Sequence, residues 1–349
     1  MSITDVRAKS IIHWLSHTLN LDIKHFETAS SDASFRRYFR VIHNQGHHVV
    51  MDAPPEKENT EPFIRINELF KKSGLNVPMI YQLDLAHGYL LLEDFGSCCF
   101  LDKLNNDTAL DLYRSAFKSL YTLQTQIPIT NSALPYYDKV LLERELGIFY
   151  DWFLGHYLTL SLAGNLKDNL NSILIESALE QPQCCVHRDF HSRNLMVLAK
   201  NSPGIIDFQD AVIGPVSYDL VSLLRDCYIA WPEEKVEQWM TFYYRKITES
   251  GLVNANIETF TRWFDLMGLQ RHLKAIGIFS RLHLRDNKSS YLADIPRTLN
   301  YVSLVCNKYP ELAEFNQFLI EIILPAYEAG TSKSTRYKFR IRDRAKYRV

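Results

Sequence analysis

Residues His187 to Leu195 read HRDFHSRNL, and Gly204 to Asp210 read GIIDFQD. Together they offer an acid, Asp189, an amide five residues later, Asn194, and a second acid thirteen residues beyond that, Asp207. Phosphoryl transfer from ATP needs this set. One carboxylate orients an attacking hydroxyl and accepts its proton, while a carboxylate and an amide oxygen hold the Mg²⁺ that neutralises the phosphates. Short apolar runs flank both segments: CCV before His187, NLMVL after Arg193 and GII before Asp207. The expected arrangement is a loop that carries the functional groups between buried strands.

The pattern H-R-D-x-x-x-x-N, then an apolar strand and D-F, resembles the catalytic and metal-binding loops of the protein-kinase-like superfamily. The continuations D-F-Q-D and G-P-x-x-x-D-L are more similar to its small-molecule branch, the aminoglycoside and choline phosphotransferases. DASFRRYFRV, VVMDAPPEKE, LLLEDFG, DLMGLQRHLKAIGIF and YLADIP resemble the bacterial anomeric sugar kinases. Those enzymes phosphorylate N-acetylmuramate and N-acetylglucosamine at C1 in cell-wall (peptidoglycan) recycling. The resemblance runs from about residue 5 to residue 326 and implies an α+β, two-lobed, protein-kinase-like fold. A small antiparallel-sheet N-lobe, residues 1–96, would hold an N-terminal helix, a nucleotide-covering hairpin and the hinge. A mostly helical C-lobe, 97–330, would carry the catalytic loop and substrate site, and 331–349 would form a tail. The implied cofactors are ATP and Mg²⁺, with Asp189 as base, Asn194 and Asp207 as metal ligands, and His187 and Asp219 holding the loop.

Composition sets bounds without naming a substrate. At 349 residues, 46% hydrophobic and 23% charged, the chain suits an ordinary soluble protein with two cores. No apolar run spans a bilayer and no leader opens the chain, so a cytoplasmic protein without a membrane span is expected. The six cysteines include two adjacent pairs, Cys98-Cys99 and Cys184-Cys185, which read as reduced, buried thiols. Residues 331–349 hold eight Lys/Arg and one Asp, a net +7, which leaves −8 for residues 1–330 given the total of −1. Basic residues at every second position from Arg336 to Arg348 fit an extended, solvated tail, and no nucleic-acid partner is expected.

Along the chain, Val6, Ile11, Trp14, Leu15 and Leu19 have helical spacing. HFETASSDASFRRYFRVI predicts two strands about a turn, where kinases place glycines over the ATP phosphates. This turn has none, and Ser34 and Phe35 are the candidate phosphate contacts. The next strand, HHVVMDAPPE, shows Met51 or Asp52 where relatives carry a phosphate-binding lysine. A helix follows, with Thr60 as cap, Pro62 in its first turn and Gly74 as its stop. Arg65 falls where kinases place a glutamate. A reversed pair, Asp52 with Arg65 facing the phosphates, is one source of the missing charge; Arg37, Arg40 and Lys57 are rivals. VPMIYQLDLAHGYLLLEDFG adds two strands turning at His87-Gly88. Its end resembles the hinge, with Glu93 and Phe95 offering backbone groups to adenine and Leu92 a wall. Helices are expected at about 107–126, 138–158, 166–180, 218–229, 233–249, 257–278, 294–306 and 311–328.

The substrate implied by the resemblance is a small sugar. His191, Arg193 and Asp210 stand beside the base, although ordinary polar-loop roles for them stay open. Muramate adds a lactyl carboxylate, which a guanidinium matches. Arg225, in the apolar VSLLRDCYIAW, Arg271 and Arg281 are the candidates, and Tyr228 or Trp231 offers a stacking face. Two other readings stay open: a kinase of an aminoglycoside or choline, which the −8 of residues 1–330 would suit, and a nucleotide-binding pseudokinase.

Overall fold

A computed structural model describes residues 5–31, 35–130, 132 and 134–331. In chain order the elements are α1 (Val6–His13, continued as a π-helix Trp14–Thr18), β1 (Ile23–Ser31), β2 (Arg37–His43), β3 (Gly46–Asp52), α2 (Glu61–Lys72), β4 (Ile80–Asp84), β5 (Tyr89–Glu93), α3 (Phe100–Lys103) and α4 (Ala109–Gln126). Next come α5 (Lys139–Ile148, continued as a π-helix Phe149–Leu158), α6 (Gly164–Leu179), β6 (Gln183–Val186), β7 (Leu195–Met196), β8 (Gly204–Ile205) and β9 (Val212–Pro215). The last are α7 (Tyr218–Leu224), α8 (Glu233–Glu249), α9 (Ile257–Asp286), α10 (Ile295–Lys308), α11 (Ala313–Phe318) and α12 (Leu324–Thr331). An antiparallel sheet followed by mostly helical chain makes the protein α+β. The basic tail, apart from Thr331, lies outside the described residues.

Two compact units divide the chain: Met1–Pro135 with Cys184–Ile213, and Tyr136–Gln183 with Gly214–Val349. Residues 97–135 and 184–213, which the hinge-based reading groups with the helical lobe, thus pack with the sheet.

The first unit is built on a five-stranded antiparallel sheet of order β1-β2-β3-β5-β4. Side chains alternate across a strand, so its two faces have different tasks. Phe39, Val41, Val50, Tyr89 and Leu91 form one core with Ala8, Ile11, Trp14 and Leu15 of α1 and its π-turn. Asp5 caps α1 by accepting from the Arg7 and Ala8 amides. Thr60 is the N-cap residue of α2, as expected, but its side chain makes no capping bond; Asn59 accepts from the Glu61 amide at 2.9 Å instead. Gly88 closes the β4–β5 turn at φ 74°, and a Cβ there would lie 1.8 Å from the Ala53 carbonyl.

Asp52 shares a face with Val50, and its carboxylate is fully buried. It bonds Arg7 at 2.6 Å and Arg37, and Arg37 also bonds Asp5. The expected Asp52–Arg65 pair does not form, because strand alternation turns Asp52 toward α1. Arg65 bonds Glu61 one helical turn away, at 2.9 Å.

In the second unit α9 is the central element, with Phe264, Leu266, Leu269, Leu273 and Ile276 buried along it. It runs eight residues past the expected end at 278, because Phe279, Ser280 and Leu282 are still buried. α7 stops at Leu224 rather than 229. The Asp226 side chain accepts from the Tyr228 amide at 2.8 Å, a local turn that competes with helix, and the Arg225 carbonyl bonds His272 at 2.9 Å. Lys274 bonds Glu145 at 2.9 Å in a buried pair, and Gln270 donates to the Tyr137 hydroxyl at 2.9 Å beside it. All six cysteines are free thiols. Four are buried, whereas Cys98 and Cys99 are half-buried.

Breaking a buried ion pair typically costs about 3–5 kcal/mol. Asp52→Ala should therefore lower the free energy of urea unfolding by about that amount while leaving turnover per folded molecule intact. Lost turnover with unchanged stability would show that Asp52 serves the nucleotide rather than α1.

Candidate active site

The segment from His187 to Asp210 takes its shape from hydrogen bonds inside the first unit. β7 and β8 pair antiparallel, Leu195 with Ile205 and Met196 with Gly204. That short ladder brings Asn194 against Ile206, whose amide donates to the Asn194 carbonyl at 3.1 Å. The Asn194 side chain donates to the Asp189 carbonyl at 3.0 Å and to Asp207 Oδ2 at 3.3 Å. Asp189, Asn194 and Asp207 are thus gathered at one place. Arg188 and Asp207 both adopt left-handed backbone, φ 76° and 64°, a conformation that costs a non-glycine residue about 1–3 kcal/mol and is typical of functional loops.

His187 braces the loop from behind. Its Nδ1 accepts from the Asp189 amide at 3.2 Å, and Nε2 donates to the Ile206 carbonyl at 3.1 Å. The ring is fully buried, which pushes its pKa down to about 4 and keeps it neutral. Phe208, next to Asp207, is fully buried and packs against Phe63 and Phe70 of α2, with centroids 4.9 and 5.7 Å apart.

Asn194, Asp207 and Phe208 line a cavity of about 390 Å³ within the first unit, together with Val49, Leu92, Phe95 and Arg193 among others. Its size suits a nucleotide-sized ligand. Glu93 is anchored through its amide to the Met79 carbonyl at 2.8 Å and through its carboxylate to the Met79 amide at 3.1 Å. Gly204 lets the hinge ring approach, since a Cβ there would lie 2.6 Å from Phe95. Arg40 grips Asp94 with two bonds, 2.7 and 3.0 Å. Burial opposes the Asp94 charge, but Arg40 and the Gly96 amide outweigh it and hold the carboxyl below the usual range.

A divalent cation would find oxygen donors here. Asp207 Oδ1 accepts from Gln209 Nε2 at 2.9 Å, and Gln209 Oε1 is buried without a hydrogen-bond partner. A half-turn of the Asn194 amide would present its oxygen beside Asp207. Among the described residues no group of three His, Cys, Asp or Glu side chains forms a metal cage. A cation held at Asp207 and Asn194 would therefore take further ligands from phosphate and water, the habit of Mg²⁺.

Ser34 lies outside the described residues. Phe35 is exposed, its amide donating to Glu58 Oε1 at 3.0 Å and its ring under the Lys57 ammonium at 4.9 Å. Arg65 does not line the cavity. His191 is buried, whereas Arg193 and Asp210 are exposed, and Asp210 offers its carbonyl to Arg188 at 3.3 Å. Arg225, Arg271, Arg281 and Asp219 belong to the second unit. Arg225 bonds Asp265 at 2.8 Å and also Glu233, so two carboxylates share its guanidinium. Arg271 is buried with Nη1 3.8 Å from Cys227 Sγ, and Asp219 is fully buried in the first turn of α7.

Residues 25–249 match the phosphotransferase enzyme family. The chain is 42% identical over 333 residues to the N-acetylmuramate/N-acetylglucosamine kinase of Pseudomonas putida, covering 91% of this chain and 97% of that one. It is 43% identical over 298 residues to the kinase of the same name from Pseudomonas aeruginosa, covering 84% and 87%. The chain belongs to the N-acetylmuramate/N-acetylglucosamine kinase branch of the phosphotransferase enzyme family.

Choline kinase LicA from Streptococcus pneumoniae superposes on this phosphotransferase with a TM-score of 0.62 at 13% identity, over 85% of this chain and 99% of that one. ADP-bound aminoglycoside phosphotransferase APH(2'')-Ib does so at 0.55 and 14%, over 85% and 97%. The fold is protein-kinase-like. Sequence reasoning missed three interactions: the Arg40–Asp94 pair in the cavity wall, Gln209 on Asp207, and Glu58 on the Phe35 amide. The alternation of Tyr38 and Arg40, both of which line the cavity, was the available signal for the first.

Unfolded His187 titrates near 6.5, and the folded group near 4. Between those values the unfolded chain binds more protons, so stability is complete above pH 6.5 and falls as pH drops toward 4. Melting temperatures across that window should show the fall, and His187→Gln should make it shallower. An equal slope in the variant would contradict the neutral, buried role of His187.

Proposed function

We propose that the protein transfers the γ-phosphoryl group of ATP to the anomeric C1 hydroxyl of N-acetylmuramate, N-acetylglucosamine or both, giving the α-1-phosphate. The observation that carries this reading is the Asn194 amide, which ties the Asp189 loop to Asp207 at 3.0 and 3.3 Å beside the hinge cavity. The names of the relatives supply the substrate class. Backbone groups of Glu93 and Phe95 receive adenine, with Leu92 as wall. Asn194 and Asp207 hold Mg²⁺, which when bound offsets the phosphate charge. Asp189 orients the C1 hydroxyl and takes its proton as the new O–P bond forms. The bond from the γ-phosphorus to the ADP oxygen breaks, and ADP leaves.

His191 and Arg193, two and four residues past the base, and Asp210, three past Asp207, are assigned to the sugar hydroxyls. Arg225 and Arg271 are the guanidinium groups assigned to a lactyl carboxylate, which a planar fork matches. A place in peptidoglycan recycling in the cytoplasm fits the substrate class, the use of ATP and six free thiols. Among the described residues no helix is long and apolar enough to cross a membrane.

Labelled ATP offered with free amino sugars, aminoglycosides and choline should label the amino sugars alone, with NMR placing the ester at C1. Transfer to none of them, or only to choline or an aminoglycoside, contradicts the assignment. Asp189→Ala should lower kcat by at least roughly 10²–10⁴-fold, the worth of a general base, with an unchanged melting temperature. Full activity in that variant would remove Asp189 from the mechanism.

A further inference from the structure

Protein kinases place a lysine of the third strand on the ATP phosphates, and β3 of this chain has no cation for that task. Its alternation decides which side chain stands there. Val50 and Asp52 belong to the α1 face. Val49 lines the cavity, and Met51 follows it on the same face, fully buried. The β2–β3 register is unbroken, Arg37 opposite Asp52 and Tyr38 opposite Met51, so no bulge alters the assignment. Cations suggested by the sequence are engaged elsewhere: Arg37 with Asp5 and Asp52, Arg40 with Asp94, Arg65 with Glu61, and Lys57 over Phe35.

Arg36 immediately precedes β2. The two-residue period puts it with Tyr38 and Arg40, the cavity-lining residues of that strand, diagonally next to Met51. Its side chain is only 13% exposed, and Nε lies 3.4 Å from Glu58 Oε2. Glu58 also accepts from the Phe35 amide at 3.0 Å, so one carboxylate holds both residues that lead into β2. Burial works against the Arg36 charge, yet Tyr38, Glu58, Asp207 and Asp210 together hold its pKa above the ordinary value. The last two are the carboxylates of the D-F-Q-D segment, so the guanidinium stands within electrostatic reach of the proposed metal ligand.

We propose that Arg36 supplies the positive charge to the nucleotide's phosphates that β3 lacks, with Glu58 orienting its guanidinium. The inference rests on the reading of the cavity as an ATP site. A guanidinium fork suits phosphate oxygens better than a point charge does, because it donates two parallel bonds. Moving the cation from β3 to the start of β2 leaves β3 free to place its acid, Asp52, against α1.

Calorimetric titration of ATP, ADP, AMP and adenosine into wild type, Arg36→Ala and Arg36→Lys tests this directly, with melting curves to establish that each variant folds. Arg36→Ala should weaken ATP and ADP by roughly tenfold to hundredfold, the worth of one or two charge-assisted hydrogen bonds. Adenosine affinity and the KM for sugar should stay unchanged. Arg36→Lys should recover part of the loss, and it carries the test if the alanine variant does not fold. Unchanged ATP affinity in the alanine variant (or in the lysine variant, when that one carries the test), or an equal loss for adenosine, overturns the proposal. Wild type that binds ATP in this pattern but phosphorylates no amino sugar overturns the sugar-kinase reading and leaves Arg36 in place. Wild type that binds no nucleotide overturns both.

Discussion

Asp207 adopts a left-handed backbone, φ 64°, between an isoleucine whose amide and carbonyl bond Asn194 and His187 and a phenylalanine buried against α2. The backbone strain is of order 1–3 kcal/mol, and full burial of the Phe208 side chain is worth about 1.5–3 kcal/mol. The two are of the same size, so the aromatic socket of Phe63 and Phe70 can hold the acid in a conformation it would not choose alone. Two amides, Asn194 and Gln209, then bond the two carboxylate oxygens. The rest of the first unit serves that position: His187 fixes the height of the loop, the β7–β8 ladder sets Asn194, and α2 provides the socket.

Charge is sorted by the faces of the sheet. Toward α1, Asp5, Arg7, Arg37 and Asp52 form a network that clamps the N-terminal helix. Toward the cavity stand Tyr38, Arg40 and Asp94, with Arg36 beside Glu58. Because each strand residue faces one side only, an acid at position 52 and a methionine at 51 are consistent with each other. The acid belongs to the helix clamp, and the methionine closes the cavity side. The same rule explains why Arg65, on a separate helix, pairs within its own turn instead of crossing to β3.

Much of this was legible along the chain because the motif is local. Asp189, Asn194 and Asp207 lie within nineteen residues, and short apolar runs announce the strands that gather them. The helix expected at 233–249 is α8 to the residue, and strands stand where HFETASSDASFRRYFRVI and VPMIYQLDLAHGYLLLEDFG predict them. The sequence was silent where partners are far apart or where one residue of register decides. Arg225 read as a lone guanidinium in an apolar helix; Asp265, forty residues away, is what occupies it. Asp52 and Met51 are neighbours, and only the strand pairing tells which one faces the cavity. Asp226 ended α7 early through a side-chain turn, which hydrophobic periodicity does not register. Thr60 takes the N-cap position of α2, but the side-chain bond to the helix start comes from Asn59, a partner that spacing alone does not single out.

The most direct test of the Asp207 site is metal-dependent nucleotide binding. Electron paramagnetic resonance can count Mn²⁺ bound with ADP to wild type and to Asp207→Ala. The expected result is Mn²⁺ held by wild type only when the nucleotide is present, and lost in the variant, which still binds adenosine. Equal Mn²⁺–nucleotide binding by both proteins would show that the metal sits elsewhere and that the gathered acids and amide do not form the centre described above.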